Sequence, residues 1–135
     1  MKLTICVLLL FAFIAFATAG LQKYKVRGKV FCSTDPKKHK NVLVRLVDKD
    51  IGVDDELDVK RTGADGSYTL EGQTSELTSI DVVLKISHDC NDGIKPCSRE
   101  LKMKLPERYI NSDEYFDAGR INLDMKFSDE DRDCI

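Results

Sequence analysis

The sequence predicts an all-β fold, a two-sheet antiparallel sandwich of about seven strands, and three observations lead to it. Apolar and polar residues alternate with a period of two along most of the chain, which is typical of strands with one buried face. Short loops rich in Gly, Asp, Asn and Pro separate these runs. No long run shows the 3.6-residue period of an amphipathic helix. Parallel sheets need helical crossovers, so these strands should pair antiparallel in two packed layers.

The first predicted strand shows the alternation most clearly. Apolar or small residues occupy every second position over 24–32, and Lys25, Arg27 and Lys29 occupy positions between them. One face of this strand should therefore be buried, while the opposite face is basic and exposed.

The next strands follow in order. The run 42–47 is apolar except for Arg45, as expected near the middle of a sheet. The run 57–62 alternates, and turn-forming residues at 64–66 separate it from Tyr68 and Leu70, so we expect these two segments to form a β-hairpin.

The second half repeats the pattern. It predicts a strand at 80–87 and a possible helical turn within 106–114. Two further series of alternating apolar residues predict the last strands: Leu101, Met103 and Leu105, with Glu100, Lys102 and Lys104 pointing outward, and then Ile121, Leu123, Met125 and Phe127.

Residues 1–19 have the pattern of a secretory signal peptide. Lys2 precedes an apolar run at 5–16, and Ala17 and Ala19 are small residues at the positions that signal peptidase recognises. The alternative, a membrane anchor, is less consistent with this run, which is shorter than the roughly 20 residues of a spanning helix. We therefore expect a secreted protein without a transmembrane segment, whose residues 20–135 form one domain.

The four cysteines outside this leader predict two disulfides in an oxidising compartment. Spacing leaves three pairings open. The segment 90–97 contains Asn-Asp-Gly and a Pro that turn the chain sharply, so we expect Cys90 to pair with Cys97 and Cys32 with Cys134. A zinc site built on His88, Cys90 and Cys97 is the alternative, but it lacks a fourth ligand.

Charge and motifs exclude several function classes. The chain carries 21 basic and 23 acidic residues, and this acidic balance argues against a general nucleic-acid binder. It has neither a nucleophile elbow nor a glycine-rich phosphate loop. His88 continues an inward-facing series, so we expect it to be a buried, hydrogen-bonded histidine rather than a catalytic base.

The loop region 48–58 is rich in acidic residues. Calcium prefers such carboxylate oxygens, but the spacing is not that of an EF-hand, and solvated loop acids are the simpler interpretation. We therefore expect no cofactor. The acidic residues are Asp48, Asp50, Asp54, Asp55, Glu56 and Asp58.

A series of short motifs runs through most of the chain. Within it, Cys97 follows the sequence His88-Asp89-Cys90 by seven positions. In this order the motifs resemble the nematode transthyretin-like family over about 24–127. They lie at 26–32, 41–50, 54–57, 65–72, 84–90, 96–99 and 106–110.

The resemblance implies a secreted β-sandwich of the transthyretin, or prealbumin, type with an extracellular or cell-surface role and generally without catalysis. Fold relatives that hydrolyse hydroxyisourate carry a C-terminal Tyr-Arg-Gly-Ser signature, which this chain lacks. We expect a binding or signalling module that contacts a protein receptor, a lipid or an anionic cell surface. The alternatives are a carrier of a small apolar ligand and a hydrolase with an unrecognised site.

Basic residues near the N-terminal end of the domain predict where a partner binds. They are opposite in sign to the chain as a whole and would suit an anionic surface of phospholipid headgroups or sulfated glycans. The alternative is that lysines on an exposed edge strand prevent aggregation. The predicted patch comprises Lys25, Arg27, Lys29, Lys37, Lys38 and Lys40.

Overall fold

A computed structural model describes residues 6–7 and 20–134 of the 135-residue chain. Most of the predicted signal peptide lies outside these residues, so its cleavage before Gly20 stays a prediction. Among the described residues there is no helix of the length and apolar character required to cross a bilayer.

The described residues form two β-sheets, which confirms the all-β sandwich. One sheet has three strands in the order β4-β1-β7, and the other has five in the order β3-β2-β5-β6-β8. The strands are β1 (Leu21–Phe31), β2 (Leu43–Asp48), β3 (Asp55–Arg61), β4 (Ser67–Ser75), β5 (Val82–His88), β6 (Ser98–Lys104), β7 (Phe116–Asn122) and β8 (Asp131–Asp133). Short 3-10 helices lie at Pro36–His39 and Glu107–Tyr109, and the second confirms the helical turn expected after β6.

The core lies between the two sheets and is built by the predicted alternation. Tyr24, Val26 and Val30 of β1 are fully buried, and Leu84 and Ile86 of β5 face them from the other layer. Burial of such side chains contributes about 1.5–3 kcal/mol each, so this interface is the main source of stability.

The predicted hairpin between 57–62 and the strand containing Tyr68 is wrong. The turn exists, with the Gly66 N–H donating to the Gly63 carbonyl at 3.0 Å, but it carries the chain from one sheet to the other. β3 pairs with β2, whereas β4 pairs with β1. Turn chemistry sets where the chain reverses, but it does not decide which strand each arm pairs with.

The C-terminal strands differ from the prediction in position and direction. The last long strand is β7, at Phe116–Asn122, and it pairs parallel to β1. Ile121 and Leu123 are buried as expected, but the chain turns after them, so Met125 is exposed and Phe127 only half-buried.

The acidic tail forms an additional short strand, β8, which pairs with β6. Glu100 points outward yet is only 8% exposed, with the Arg45 side chain against it and β8 paired along the edge of β6. Arg45 contacts both Glu100, at 3.6 Å, and Asp133, and Ser87 Oγ donates to Asp133 at 2.6 Å. The tail is thus held by buried polar contacts as well as by a disulfide.

Two disulfides are present, but the predicted pairing is wrong. Cys32 is bonded to Cys90, and Cys97 to Cys134. Cys32 follows β1 and Cys90 follows β5, so the first bond joins the two sheets at one end of the core. Because Cys90 and Cys97 are both in disulfides, neither has a thiolate with which to bind a metal ion. The turns in segment 90–97 do not bring its two cysteines together, and Cys97 instead bonds to Cys134 in the tail.

Candidate functional site

The outer face of the three-stranded sheet carries a row of cations along β1. Tyr24 and Val26 point into the core, so Lys23, Lys25, Arg27 and Lys29 project from the opposite face. Alternate residues of a strand are about 7 Å apart, which spaces these charges evenly. The structure therefore brings together the three strand residues predicted from sequence, with Lys23 beside them at the start of the row. We call this row, together with Arg120 of β7, the basic face.

Neighbouring strands add acidic partners but do not cancel the charge. Arg27 lies 3.7 Å from Asp117, and Lys23 lies 3.2 Å from Asp113. Such exposed pairs contribute at most about 1 kcal/mol and are readily broken by a ligand. Glu71 lies opposite Lys25, and Asp65 is close enough to Lys29 to interact with its charge. Five cations and these four acids leave a small excess of positive charge on this face of an acidic protein.

Aromatic side chains hold two of the cations in place. The Lys25 ammonium lies 4.3 Å above the ring of Tyr115 and also donates to the Asp113 carbonyl at 3.2 Å. The Arg120 guanidinium lies 4.7 Å above the ring of Phe31. Cation–π contacts restrict these long side chains, so less freedom is lost when an anion binds.

The position of β1 bears on the alternative explanation of its lysines. β1 is the middle strand of its sheet, paired with β4 on one side and β7 on the other. β7 pairs with β1 from Val26 to Phe31, and at Lys23 the loop residue Asn111 takes the place of a strand partner: its N–H donates to the Lys23 carbonyl, and its Oδ1 accepts from the Lys23 N–H, both at 2.9 Å. Arg27 and Lys29 therefore lie on a strand paired on both sides, where charges are not needed to prevent edge-to-edge pairing.

The loop lysines of the predicted patch do not share this face. Lys37 and Lys38 lie in the 3-10 helix at the end of the sandwich, and Lys40 follows it. Lys38 is paired with Asp89 at 3.0 Å, after β5 of the other sheet. The structure thus separates the predicted patch into a strand half and a loop half.

Sequence reasoning missed Arg120, which reaches the basic face through a β-bulge. Arg27 lies opposite Asp117 and Lys29 opposite Arg120, so β7 has one more residue than β1 between these pairs. The signal was Gly119, which takes the left-handed backbone conformation that a bulge requires, with φ of 74°. The predicted start of this strand at 121 had placed Arg120 in a loop.

The acidic residues of 48–58 are divided among several roles. Asp54 pairs with Lys85 at 2.9 Å, and Asp58 accepts from the Glu71 N–H at 2.9 Å. Asp48 and Asp55 converge with Glu76 of the β4–β5 loop, with one carboxylate oxygen of each within 4.8 Å of the others. Asp48 is buried and accepts from the Asp81 N–H at 2.9 Å, so this residue supports the turn into β5. Burial raises the pKa of its carboxyl.

His88 is the buried, hydrogen-bonded histidine that its position in the strand predicted. It is 4% exposed at the end of β5, and its Nδ1 accepts from the Cys90 N–H at 3.1 Å. Burial, aided by the nearby Arg99 guanidinium, lowers the pKa of His88 to about 4. The imidazole is therefore neutral at physiological pH and supports the chain next to the disulfide.

Comparison with known proteins gives consistent similarities. The sequence model described as "TTR-52: Transthyretin-like family" matches residues 27–106. Transthyretin-like protein 5 of Caenorhabditis elegans is 42% identical over 120 residues, covering 84% of this chain and 85% of that protein. Transthyretin-like protein 33 of the same organism is 36% identical over 138 residues, covering 96% and 95%. Among solved structures, a 9R-lipoxygenase from Cyanothece PCC8801 aligns with 76% of this chain and 16% of its own, at 17% identity and a TM-score of 0.48, too distant to support a functional comparison.

Proposed function

Since this chain belongs to the transthyretin-like family, we propose that it is a secreted extracellular binding module without catalytic activity, whose basic face contacts an anionic surface. The two disulfides and the leader-like N-terminus support an extracellular location. The partner chemistry that suits this face is a set of sulfate or phosphate ester groups, which lysine and arginine bind through charge and hydrogen bonds.

One observation carries this proposal: a positive row on the middle strand of a sheet, within a protein of net charge −2. A central strand needs no charges to prevent edge-to-edge pairing with another sheet, and an exposed sheet face needs none for packing. The row instead offers regularly spaced donors on a rigid, disulfide-linked scaffold, and such a scaffold lowers the cost of ordering upon binding.

Charge reversal on β1 tests the proposal. We expect the variant Lys25→Glu/Arg27→Glu/Lys29→Glu to lose about tenfold or more of its affinity for immobilised heparin or for vesicles with anionic headgroups, because the field of the face is inverted. Wild-type binding should weaken steeply with salt, since exposed charges are screened beyond about 8 Å at physiological ionic strength. The heparin and vesicle arms distinguish a sulfated glycan from a lipid surface.

The loop lysines provide a matched control. Lys37→Glu/Lys38→Glu/Lys40→Glu makes the same change in net charge at the end of the sandwich. We expect it to retain most of the binding. Equal losses in the two variants would show that only net charge matters, and equal binding by the β1 variant and the wild type would refute the proposal. Circular dichroism and thermal unfolding would verify that both variants fold.

A further inference from the structure

A pocket opens at the end of the basic face that carries Arg27, Lys29 and Arg120, next to the β-bulge. Its volume is about 350 Å³, and residues of all three strands of the sheet line it. They are Arg27, Gly28 and Lys29 of β1, Ser67, Tyr68 and Thr69 of β4, and Asp117, Gly119 and Arg120 of β7.

Two glycines create this opening. Gly28 has no room for a side chain, since an added Cβ would lie 2.7 Å from Cζ of Tyr68 and 3.2 Å from the carbonyl oxygen of Gly119. Gly119 sits opposite it in the bulge, where the regular pairing of β1 and β7 is interrupted. Tyr68, the register partner of Gly28 on β4, therefore lies directly beneath it.

The hydroxyl of Tyr68 is buried without a hydrogen-bond partner among the described residues. The residue is 4% exposed. Burial, together with the Asp117 carboxylate, raises the pKa of Tyr68 well above its usual value, so the hydroxyl keeps its proton and is available as a donor. Buried hydroxyls are nearly always hydrogen-bonded, so an unpaired one beside a surface pocket indicates a missing acceptor.

The charged groups around the pocket are also mainly donors. Arg27, Lys29 and Arg120 outnumber the single carboxylate of Asp117. One oxygen of that carboxylate already accepts from the Gly119 N–H at 2.8 Å, and the other faces Arg27 at 3.7 Å. A small group with several acceptor oxygens and negative charge would satisfy these donors and Tyr68 together.

We propose that this pocket binds a single sulfate ester group of a sulfated glycan chain. Arg27, Lys29 and Arg120 would be its charged donors, and the Tyr68 hydroxyl its neutral donor. This inference rests on the proposed function and deepens it, because it names the bound group and the residues that select it. The remaining cations of β1, Lys23 and Lys25, would contact the glycan chain where it continues on one side of the pocket.

The distribution of apolar side chains favours a glycan over a membrane. Exposed large apolar residues, such as Ile51, Val53, Leu77 and Ile94, lie in loops between strands. Among the large apolar residues of β1, β4 and β7, only Leu21, at the start of β1, is exposed. The aromatic side chains of this face, Phe31 and Tyr115, are half-buried beneath Arg120 and Lys25, so the face offers a ligand mainly charge and hydrogen bonds.

Binding of a heparin-derived hexasaccharide, measured by calorimetry beside its chemically desulfated counterpart, tests the pocket. We expect Arg120→Ala and Tyr68→Phe each to weaken binding of the sulfated hexasaccharide about tenfold. Lys23→Ala removes a cation of the same face outside the pocket, and we expect it to weaken binding less than about threefold. The desulfated chain should bind at least about tenfold more weakly than the sulfated one.

Tyr24→Phe is the matched control for the tyrosine. Tyr24 is buried in the same strand layer, but its hydroxyl donates to the Pro106 carbonyl at 2.9 Å. We expect Tyr24→Phe to lower the unfolding temperature and leave hexasaccharide binding unchanged. Tyr68→Phe removes no hydrogen bond, so it should weaken binding without lowering the unfolding temperature.

The outcomes separate this inference from the proposed function. If the β1 charge-reversal variant loses binding while Arg120→Ala and Tyr68→Phe behave like Lys23→Ala, the face binds anions and the pocket does not. If the pocket variants weaken binding to anionic vesicles but not to the hexasaccharide, the bound group is a lipid phosphate and the glycan assignment is wrong. If the charge-reversal variant binds as the wild type does, both proposals fail.

Discussion

His88 illustrates how a single buried residue links folding to pH. Its pKa is about 4 in the folded protein, against about 6.5 in an unfolded chain. Between these values the unfolded state binds the proton and the folded state does not, so protonation favours unfolding. The stability contributed by the neutral imidazole is present above pH 6.5 and is lost as the pH falls towards 4.

We therefore expect the free energy of unfolding to fall by on the order of 3 kcal/mol between pH 7 and pH 4 on account of His88. Urea unfolding across this range measures the effect. His88→Gln should flatten the dependence, whereas His39→Gln, on a partly exposed histidine, should retain it. Equal pH slopes for the wild type and His88→Gln would contradict this assignment.

At the residue scale, alternation was sufficient to predict much of what the structure shows. Alternation along β1 placed Lys25, Arg27 and Lys29 on the face opposite the buried Tyr24 and Val26. Alternation along β5 placed His88 in the core. This alternation can be recognised in a sequence without knowing which strands pair with each other. It could not reveal the contact between Tyr68 and Gly28, because that contact depends on which strands pair.

At the element scale, local signals were misleading where long-range pairing decides the outcome. The turn at 63–66 indicated a hairpin, but β3 pairs with β2 and β4 pairs with β1, in different sheets. The close approach of Cys32 and Cys90 is likewise a property of the packed sheets, since 58 residues separate them in sequence. Loop-closure arguments favour near neighbours and do not include the packing that brings strand ends together.

The disulfides give the element-scale prediction. Non-reducing peptide mapping should recover the pairs Cys32–Cys90 and Cys97–Cys134. Chain entropy gives each bond a similar effect, about 4 kcal/mol, because the separations of 58 and 37 residues differ little on a logarithmic scale. Burial decides between them: Cys32 and Cys90 are in the core, whereas Cys97 and Cys134 are exposed.

We accordingly expect Cys32→Ala/Cys90→Ala to lower the free energy of unfolding more than Cys97→Ser/Cys134→Ser does, because it also leaves unfilled core space. The second variant should mainly raise the rate of amide exchange in β8. A peptide joining Cys90 to Cys97, or a larger loss of stability in the second variant, would contradict the architecture.

At the scale of the whole molecule, the proposed function rests on the contrast between an acidic protein and one positive sheet face. The sandwich places β1 between two partners, its disulfides fix the ends of the sheets, and the bulge in β7 adds Arg120 and the pocket. Charge alternation in the sequence was sufficient to predict three cations of this face, Lys25, Arg27 and Lys29. Gly119 is a local signal of the bulge in β7, but the parallel pairing between the first and last long strands leaves no such signal.

Chemical-shift mapping by nuclear magnetic resonance tests this account most directly. A ¹⁵N-labelled sample of the mature protein is titrated at low salt with a heparin-derived hexasaccharide, and the amide shifts are followed residue by residue. The account predicts that the largest shifts lie at 23–29 of β1, 67–71 of β4 and 117–120 of β7, and that they disappear as salt is added. Largest shifts in the lysine loop 36–40 or at the acidic loops around Asp55 and Glu76, or no shifts at low salt, would contradict it.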